Sequence, residues 1–461
     1  MSMPHRIEDV VDRGMCVGCG ACGVATSGAI PITLGRFGVY QASLENVSDD
    51  VRRVGGSVCP FSDESPNETT LGAPTPEGRS QPLDSRLGHV GNIFTGRRSS
   101  DDDLLESSSG GLTSWLLEKL VESGHVDGVI HVGRPRDAEA ELFDYKTSNS
   151  ASDVASHKKS HYYAATMKEA VQAIQGDGRS YAIVGIPCYI TAARHLARTD
   201  SALAAQLKFY VGLVCGHLKS QFFAESLAWQ VGVAPDDLEA VDFRLKAPGR
   251  PSYDYDFGAR ARGEAELRRA PTLSLFGGNW GQGAFQPEAC NFCDDIFAET
   301  ADVAFGDAWL PEYEDDWRGM NVVVTRNSKI DQLFDLGVAA GEILTHDLSP
   351  DRAAETQAGN FRHRRDGLAV RLSDDIAEGL SVPTKRIAPS LDHVTADRRG
   401  LIRQRRRMSK MSLRLFAAAR SAGDHQIYLR PMRREFRRYK RLEKPFHRRL
   451  GGRLKRMLKR G

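Results

Sequence analysis

Three cysteines, Cys16-x-x-Cys19-x-x-Cys22, constrain this chain more than any other stretch, because one tight loop at that spacing aims three thiolates at a single point. An iron–sulfur cube needs four thiolates, and the ferredoxin run would place the next one where Thr26 stands. The nearest later candidate is Cys59, followed by Pro60, which reproduces the Cys-Pro ending of that run from a distance. Cys16, Cys19, Cys22 and Cys59 are therefore read as one [4Fe–4S] site. The alternative is tetrahedral zinc, although zinc ribbons and fingers use two CxxC-type pairs rather than this arrangement.

The chain has eight cysteines, and the other four also sit in marked settings. An apolar strand from Tyr181 runs into Gly185-Ile186-Pro187-Cys188, and a second, residues 209–214, runs into Cys215-Gly216-His217. In open α/β sheets, ligands gather at the carboxyl ends of strands. Cys290-x-x-Cys293 places two more thiols on one loop. Spacing leaves three readings open for this group: a second cluster, buried core thiols, or a redox dithiol or half zinc site. Upstream, Ser107-Ser108-Ser109-Gly110-Gly111 opens a helical pattern at Leu112, Trp115, Leu116 and Leu120. Such a helix start can hold a phosphate with free backbone N–H groups, but Ser and Gly also cap ordinary helices.

A chain of 461 residues exceeds one ordinary core, so two or three domains are expected. The opening MSMPHRIEDV lacks the apolar core of a secretory signal, and no apolar run approaches the roughly 20 residues of a membrane span. A cytoplasmic protein is expected, in which metal binding outranks disulfides. The net charge of +2 conceals an asymmetry. Residues 386–461 hold 25 Lys+Arg against 5 Asp+Glu, leaving 37 of the chain's 62 basic and 55 of its 60 acidic residues to the rest. Leu429, Met432, Phe436, Tyr439, Leu442, Phe446, Leu450, Leu454 and Met457 recur at steps of three and four in this tail, interrupted at Pro431 and Pro445. This is a basic amphipathic helix pattern, suited to an anionic membrane surface, an acidic partner or the acidic body itself. A purely phosphate-directed arm would leave the apolar stripe idle, so nucleic acid is disfavoured.

Taken together and in order, these motifs resemble the coenzyme F420 hydrogenase/dehydrogenase beta-subunit family, which includes 7-hydroxymethyl chlorophyll a reductase and ferredoxin-dependent divinyl chlorophyllide vinyl reductase. The resemblance covers roughly residues 14–345. It adds Lys159-Ser160-x-Tyr162 and Gly306-Asp307-Ala308-Trp309 to the motifs above. Relatives commonly read Cys-His-Gly where this chain has Cys215-Gly216-His217.

The resemblance implies an α/β (α+β) protein: a ferredoxin-like cluster module (1–65), a linker (66–90), a flavin-binding α/β domain in two parts (91–175 and 176–385) and a basic helical tail (386–461). It implies one FAD and two [4Fe–4S] clusters, the second on Cys188, Cys215, Cys290 and Cys293. Ser109, Gly110 and Gly111 would lie near the FAD phosphates, with Lys159, Ser160, Tyr162, Gly185 and Pro187 in the same pocket. His217, Asp307 and Tyr162 are candidate proton donors. Electrons would run between a ferredoxin-like carrier or F420 and a small organic substrate. The alternative is an electron-transfer subunit without substrate chemistry of its own. The tail adds an expected peripheral association at the inner face of a membrane.

Overall fold

The computed structural model describes residues 4–72, 82–135 and 141–443. Its centre is an eight-stranded mixed sheet: β1 (Ile93–Arg98), β2 (Gly128–Gly133), β3 (Asp144–Ser148), β4 (Tyr181–Gly185), β5 (Leu207–Leu213), β6 (Val303–Asp307), β7 (Asn321–Thr325) and β8 (Ile343–Asp347), in the spatial order β8-β1-β7-β6-β5-β4-β2-β3. The middle strands β6, β5, β4 and β2 are parallel, and the outer pairings are antiparallel. The parallel strands β4 and β5 are apolar along almost their whole length because helices cover both faces, and every residue of β4 is buried. Both expected parts of the α/β domain contribute strands, so they form one sheet.

Helix α1 (Leu112–Glu122) follows the Ser-Gly run and buries Leu112, Trp115, Leu116, Leu117 and Leu120. Helix α2 (Pro187–Thr199) starts at Pro187, whose fixed φ and missing N–H suit the first helical position. These two helices lie directly after the motifs that the sequence singled out.

The N-terminal module does not stand apart. Ile7, Val10, Cys19, Cys22 and Ile30 join one core with Tyr189, Ile190, Phe292 and Leu368 of the body. The cysteine loop is wedged tightly: Gly18 has φ +67°, and a Cβ there would lie 2.3 Å from the Tyr40 carbonyl oxygen. Within the stretch expected as a linker, the described residues are packed too. Helix Glu68–Leu71 and the strand pair Leu83–Asp84/Gly88–His89 form there, and Leu87 and Val90 are buried. These two apolar residues, isolated among polar ones, have no periodicity to betray them.

The tail folds as a helical hairpin, α3 (Ala396–Ala422) and α4 (Gln426–Glu443), and α4 runs through Pro431 instead of breaking. Pro431 is the sixth residue of α4 and lies inside the helix; the bond its missing N–H would make to the Ile427 carbonyl is given up, and packing of the helix's apolar face carries it through. The apolar stripe faces inward: Leu429, Met432, Phe436 and Tyr439 are buried, together with Phe416 and Tyr428, in a core with Phe222, Phe223, Phe243 and Phe285. Basic residues on the hairpin pair with body carboxylates, Arg406 with Asp375 and Glu288, Lys410 with Glu288 at 3.2 Å and Arg420 with Glu225 at 3.0 Å. Of the three destinations expected for the stripe, its described part takes the acidic body. Phe446, Leu450, Leu454 and Met457 lie outside the described residues. No described helix is long and apolar enough to cross a membrane.

Candidate functional site

The parallel strands deliver their carboxyl ends to one edge. Cys188 sits in the first turn of α2, just beyond β4; Cys215 and His217 follow β5; Asp307 ends β6. The short helical turn Glu288–Asn291 brings Cys290, and Cys293 follows it. All eight cysteines are free thiols. Burial raises the pKa of every one, pushing Cys19 and Cys215 up to about 12 and Cys293 to about 11. Within each group the thiols add to the effect. Cys22 is raised, after burial, by Cys16, Cys19 and Cys59. Cys188 is raised, after burial, by Cys293, Cys215 and Cys290, and also by Cys19 of the other group. The two groups of four therefore each converge, and they lie within electrostatic reach of one another. Among the described residues, no group of three or more His, Cys, Asp or Glu is placed to hold a single metal ion.

Two tyrosines lie within electrostatic reach of both groups, Cys188 and Cys19 each adding to the burial that raises their pKa values. Tyr145 and Tyr189 stack with ring centroids 5.7 Å apart. The Tyr189 hydroxyl lies 2.6 Å from the Ala165 carbonyl and 3.1 Å from that of Val17, inside the first cysteine loop. The loop is thereby tied to α2.

A cavity of about 310 Å³ opens at this edge, within the range of small-molecule sites. Cys215, Gly185, Tyr145 and Tyr189 line it. Ser109, Gly111, Lys159 and Ser160 line it as well, as do Tyr162, His217 and Asp307. Gly110, Pro187 and the other three cysteines of the second group are not among the lining residues. The side chain missing from Gly110 answers a packing demand, because a Cβ there would meet the Gly96 carbonyl oxygen at 2.7 Å. One N–H of the α1 start is already taken, since Leu112 N donates to Asn321 Oδ1 at 3.1 Å. The two lining segments, residues 107–111 and 159–160, are joined by the Ser160 N–H donating to Ser108 Oγ at 2.8 Å. Lys159 Nζ pairs with Asp242 at 3.2 Å.

The candidate proton donors differ in what holds them. Asp307 is bound by Arg244 at 2.9 Å, a buried guanidinium lying against the rings of Tyr255 and Trp309. His217 is buried, and burial, followed by Lys219 and Arg405, lowers its pKa well below the usual range, so the ring is neutral. Arg405 Nη2 lies 3.3 Å from His217 Nδ1, which puts the ring proton on Nε2, a buried atom with no hydrogen-bond partner among the described residues. Tyr162 packs against Trp280 (4.6 Å) and Phe243 (5.2 Å).

Sequence reasoning missed several groups. Arg244, Trp280 and the histidines His131, His157 and His161 all line the cavity. Buried Lys219 donates to the Ala284 carbonyl at 2.6 Å and lies 4.6 Å from the Trp280 ring. Arg405 comes from α3, in the tail. No local pattern marks these residues; the histidine cluster alone, three in a 31-residue span around β3, was open to notice.

Comparison with known proteins gives a consistent set of similarities. Two family models described as coenzyme F420 hydrogenase/dehydrogenase beta subunit match in succession, the amino-terminal one over residues 93–172 and the carboxyl-terminal one over residues 178–351. The chain is 24% identical over 338 residues to one of the subunits of the F(420)H(2) dehydrogenase of Methanosarcina mazei, covering 72% of this chain and 85% of that protein. It is 22% identical over 343 residues to the coenzyme F420-dependent sulfite reductase of Methanocaldococcus jannaschii, covering 71% of this chain but only 47% of that protein. A chain in a structure of the F420-reducing [NiFe] hydrogenase complex from Methanosarcina barkeri matches with a TM-score of 0.46 and 15% identity, covering 68% of this chain and all of that one.

Proposed function

Since the chain belongs to the coenzyme F420 hydrogenase/dehydrogenase beta-subunit family, we propose that it is an F420- or ferredoxin-linked oxidoreductase that holds one FAD and two [4Fe–4S] clusters. The observation that carries this reading is the position of Cys215, which belongs to the converged second thiol group and also lines a cavity of ligand size. A redox centre on that group would touch whatever the cavity holds. The thiols of each group perturb one another, so each group is a candidate ligand set. The Cys16-x-x-Cys19-x-x-Cys22 spacing with a remote Cys59-Pro60 suits a cube better than zinc, whose ribbons and fingers use two CxxC-type pairs.

When bound, a flavin supplies two-electron or hydride chemistry and the clusters supply one-electron steps. The chain's own residues would then act as follows. Cys16, Cys19, Cys22 and Cys59 ligate the first centre, and Cys188, Cys215, Cys290 and Cys293 the second. Ser109, Gly111, Lys159 and Ser160 would form a polar part of the lining for the dinucleotide. Trp280 and Tyr162 wall the cavity and exclude water. His217 offers the Nε2 proton, and the Arg244–Asp307 pair orients a polar group of the substrate.

Anaerobic purification with metal, sulfide and flavin analysis tests the reading. About eight irons and one flavin per chain are expected; stoichiometric zinc without flavin would overturn it. Bleaching of the flavin by F420H2 or by reduced ferredoxin then identifies the donor. The second reading, an electron-transfer component of a larger complex, draws support from the relative named as a dehydrogenase subunit. It predicts co-purification with a catalytic partner and no reduction of small molecules by the isolated chain.

A further inference from the structure

Arg364 has no part in the chemistry above, yet it is only 1% exposed and lies against the second cysteine group. It sits on the π-helical turn Arg362–Asp366, where helices commonly depart from regularity for a functional reason. Its Nε donates to the Gly216 carbonyl at 2.9 Å, Nη2 to that of Cys215 at 3.1 Å and Nη1 to that of Cys293 at 3.4 Å. Nη2 also points at Cys215 Sγ, 3.7 Å away.

A guanidinium does not lose its proton in a protein, and a buried one is costly unless an anion faces it. Among the described residues no carboxylate forms an ion pair with Arg364. The groups that favour its charge against burial are Cys293, Cys215, Cys290 and Cys188. The first group is built differently. Its thiols feel burial, one another and backbone N–H groups such as that of Ala42, 3.4 Å from Cys16 Sγ, and no cation ranks among their strongest influences. A full charge in a dry interior acts more strongly and over a longer range than an amide dipole.

We propose that Arg364 is a positioning residue whose guanidinium is the resident counter-charge of the Cys188/Cys215/Cys290/Cys293 centre and sets its reduction potential above that of the Cys16/Cys19/Cys22/Cys59 centre. The inference rests on the iron–sulfur reading given above. Reduction adds one electron, and so one negative charge, to a cluster without making or breaking a bond; a fixed cation beside it favours the reduced form, and net charge and hydrogen bonds to sulfur are established determinants of cluster potential. Electrons reaching either centre would then settle on the one beside the cavity.

The test is an EPR-monitored redox titration, with dithionite as reductant, of the full-length protein purified anaerobically. Cys19→Ser assigns the signals by removing the first centre. The higher midpoint should belong to the signal that survives in Cys19→Ser. Arg364→Gln should move that midpoint to more negative potential and leave the other in place, while Arg364→Lys should hold it near its original value. An unmoved midpoint in Arg364→Gln, equal displacement in the Gln and Lys variants, or loss of the higher midpoint in Cys19→Ser would overturn the proposal. Should Arg364→Gln lose the four irons of its centre, Arg364→Lys decides: retained iron and midpoint support the counter-charge, and loss of both overturns it. Wild-type protein without about eight irons would fail the underlying reading instead.

Discussion

Phe416→Ala separates a structural tail from a free-standing one. Phe416 is fully buried, with ring centroids 5.1 Å from Phe222, 5.6 Å from Phe285, 5.6 Å from Tyr428 and 6.1 Å from Trp229. Removing a buried Phe side chain costs about 3–5 kcal/mol through lost transfer and the cavity left behind. The four aromatic contacts place this case toward the upper end of that range. With a urea slope of about 3 kcal/mol/M, a cost of about 4 kcal/mol lowers the unfolding midpoint by about 1.3 M. Trp229 is the natural probe, since it stacks on His425 at 4.7 Å and reports hairpin docking through its fluorescence. The hairpin carries Arg405 to His217 and places the Tyr439 hydroxyl 3.1 Å from the Gly281 carbonyl, beside Trp280. Flavin content should therefore fall together with stability. A midpoint change worth less than about 0.5 kcal/mol, the ordinary value for a surface substitution, would refute the packed hairpin and return the stripe to an external surface.

Three further outcomes are expected. Cys19→Ser should halve the iron content while FAD stays bound; loss of FAD would show that the loop, which accepts the Met167 N–H on the Cys19 carbonyl at 3.1 Å, holds the fold rather than carrying electrons. Burial holds His131 and His195 at about 4, below the unfolded value near 6.5, so the unfolded chain binds more protons between these limits and stability should fall as the pH drops from about 6.5 to about 4. His131→Asn, which can still bond Ser148 Oγ, 2.8 Å from the native ring, should remove about 3 kcal/mol of that dependence at pH 4; an unchanged slope of midpoint against pH would contradict the assignment. We propose that any membrane association resides in residues 444–461, because the stripe up to Tyr439 is used internally. Flotation with anionic liposomes should then be stronger for the full chain than for a 1–443 version, and equal binding by both would remove the idea.

Local pattern carried much of this protein. Strand β4 running into Pro187-Cys188 and strand β5 into Cys215 were legible because a buried parallel strand writes itself as a short apolar run, and a Pro at the first helical position marks where the helix begins. The α1 helix was legible from its 3.6-residue repeat, and the first cysteine loop from spacing alone. The linker reading failed over the described residues because Leu87 and Val90 are single buried side chains among polar neighbours. Pro431 misled because the bond a proline removes inside a helix is outweighed here by the packing of Leu429, Met432, Phe436 and Tyr439 on the body.

The sequence by itself determined which thiols exist, how they are grouped along the chain, and that an acidic body carries a basic, amphipathic tail. Tertiary structure alone decided that the tail's apolar face is spent on the body, that Arg405 and Trp280 stand against His217, and that Arg364 lies at the sulfur of Cys215, 149 positions away. The physical reason is range. Periodicity and capping act over a few neighbouring residues, whereas these contacts arise only once β6, β5, β4 and β2 align in parallel and bring loops from distant parts of the chain to one edge.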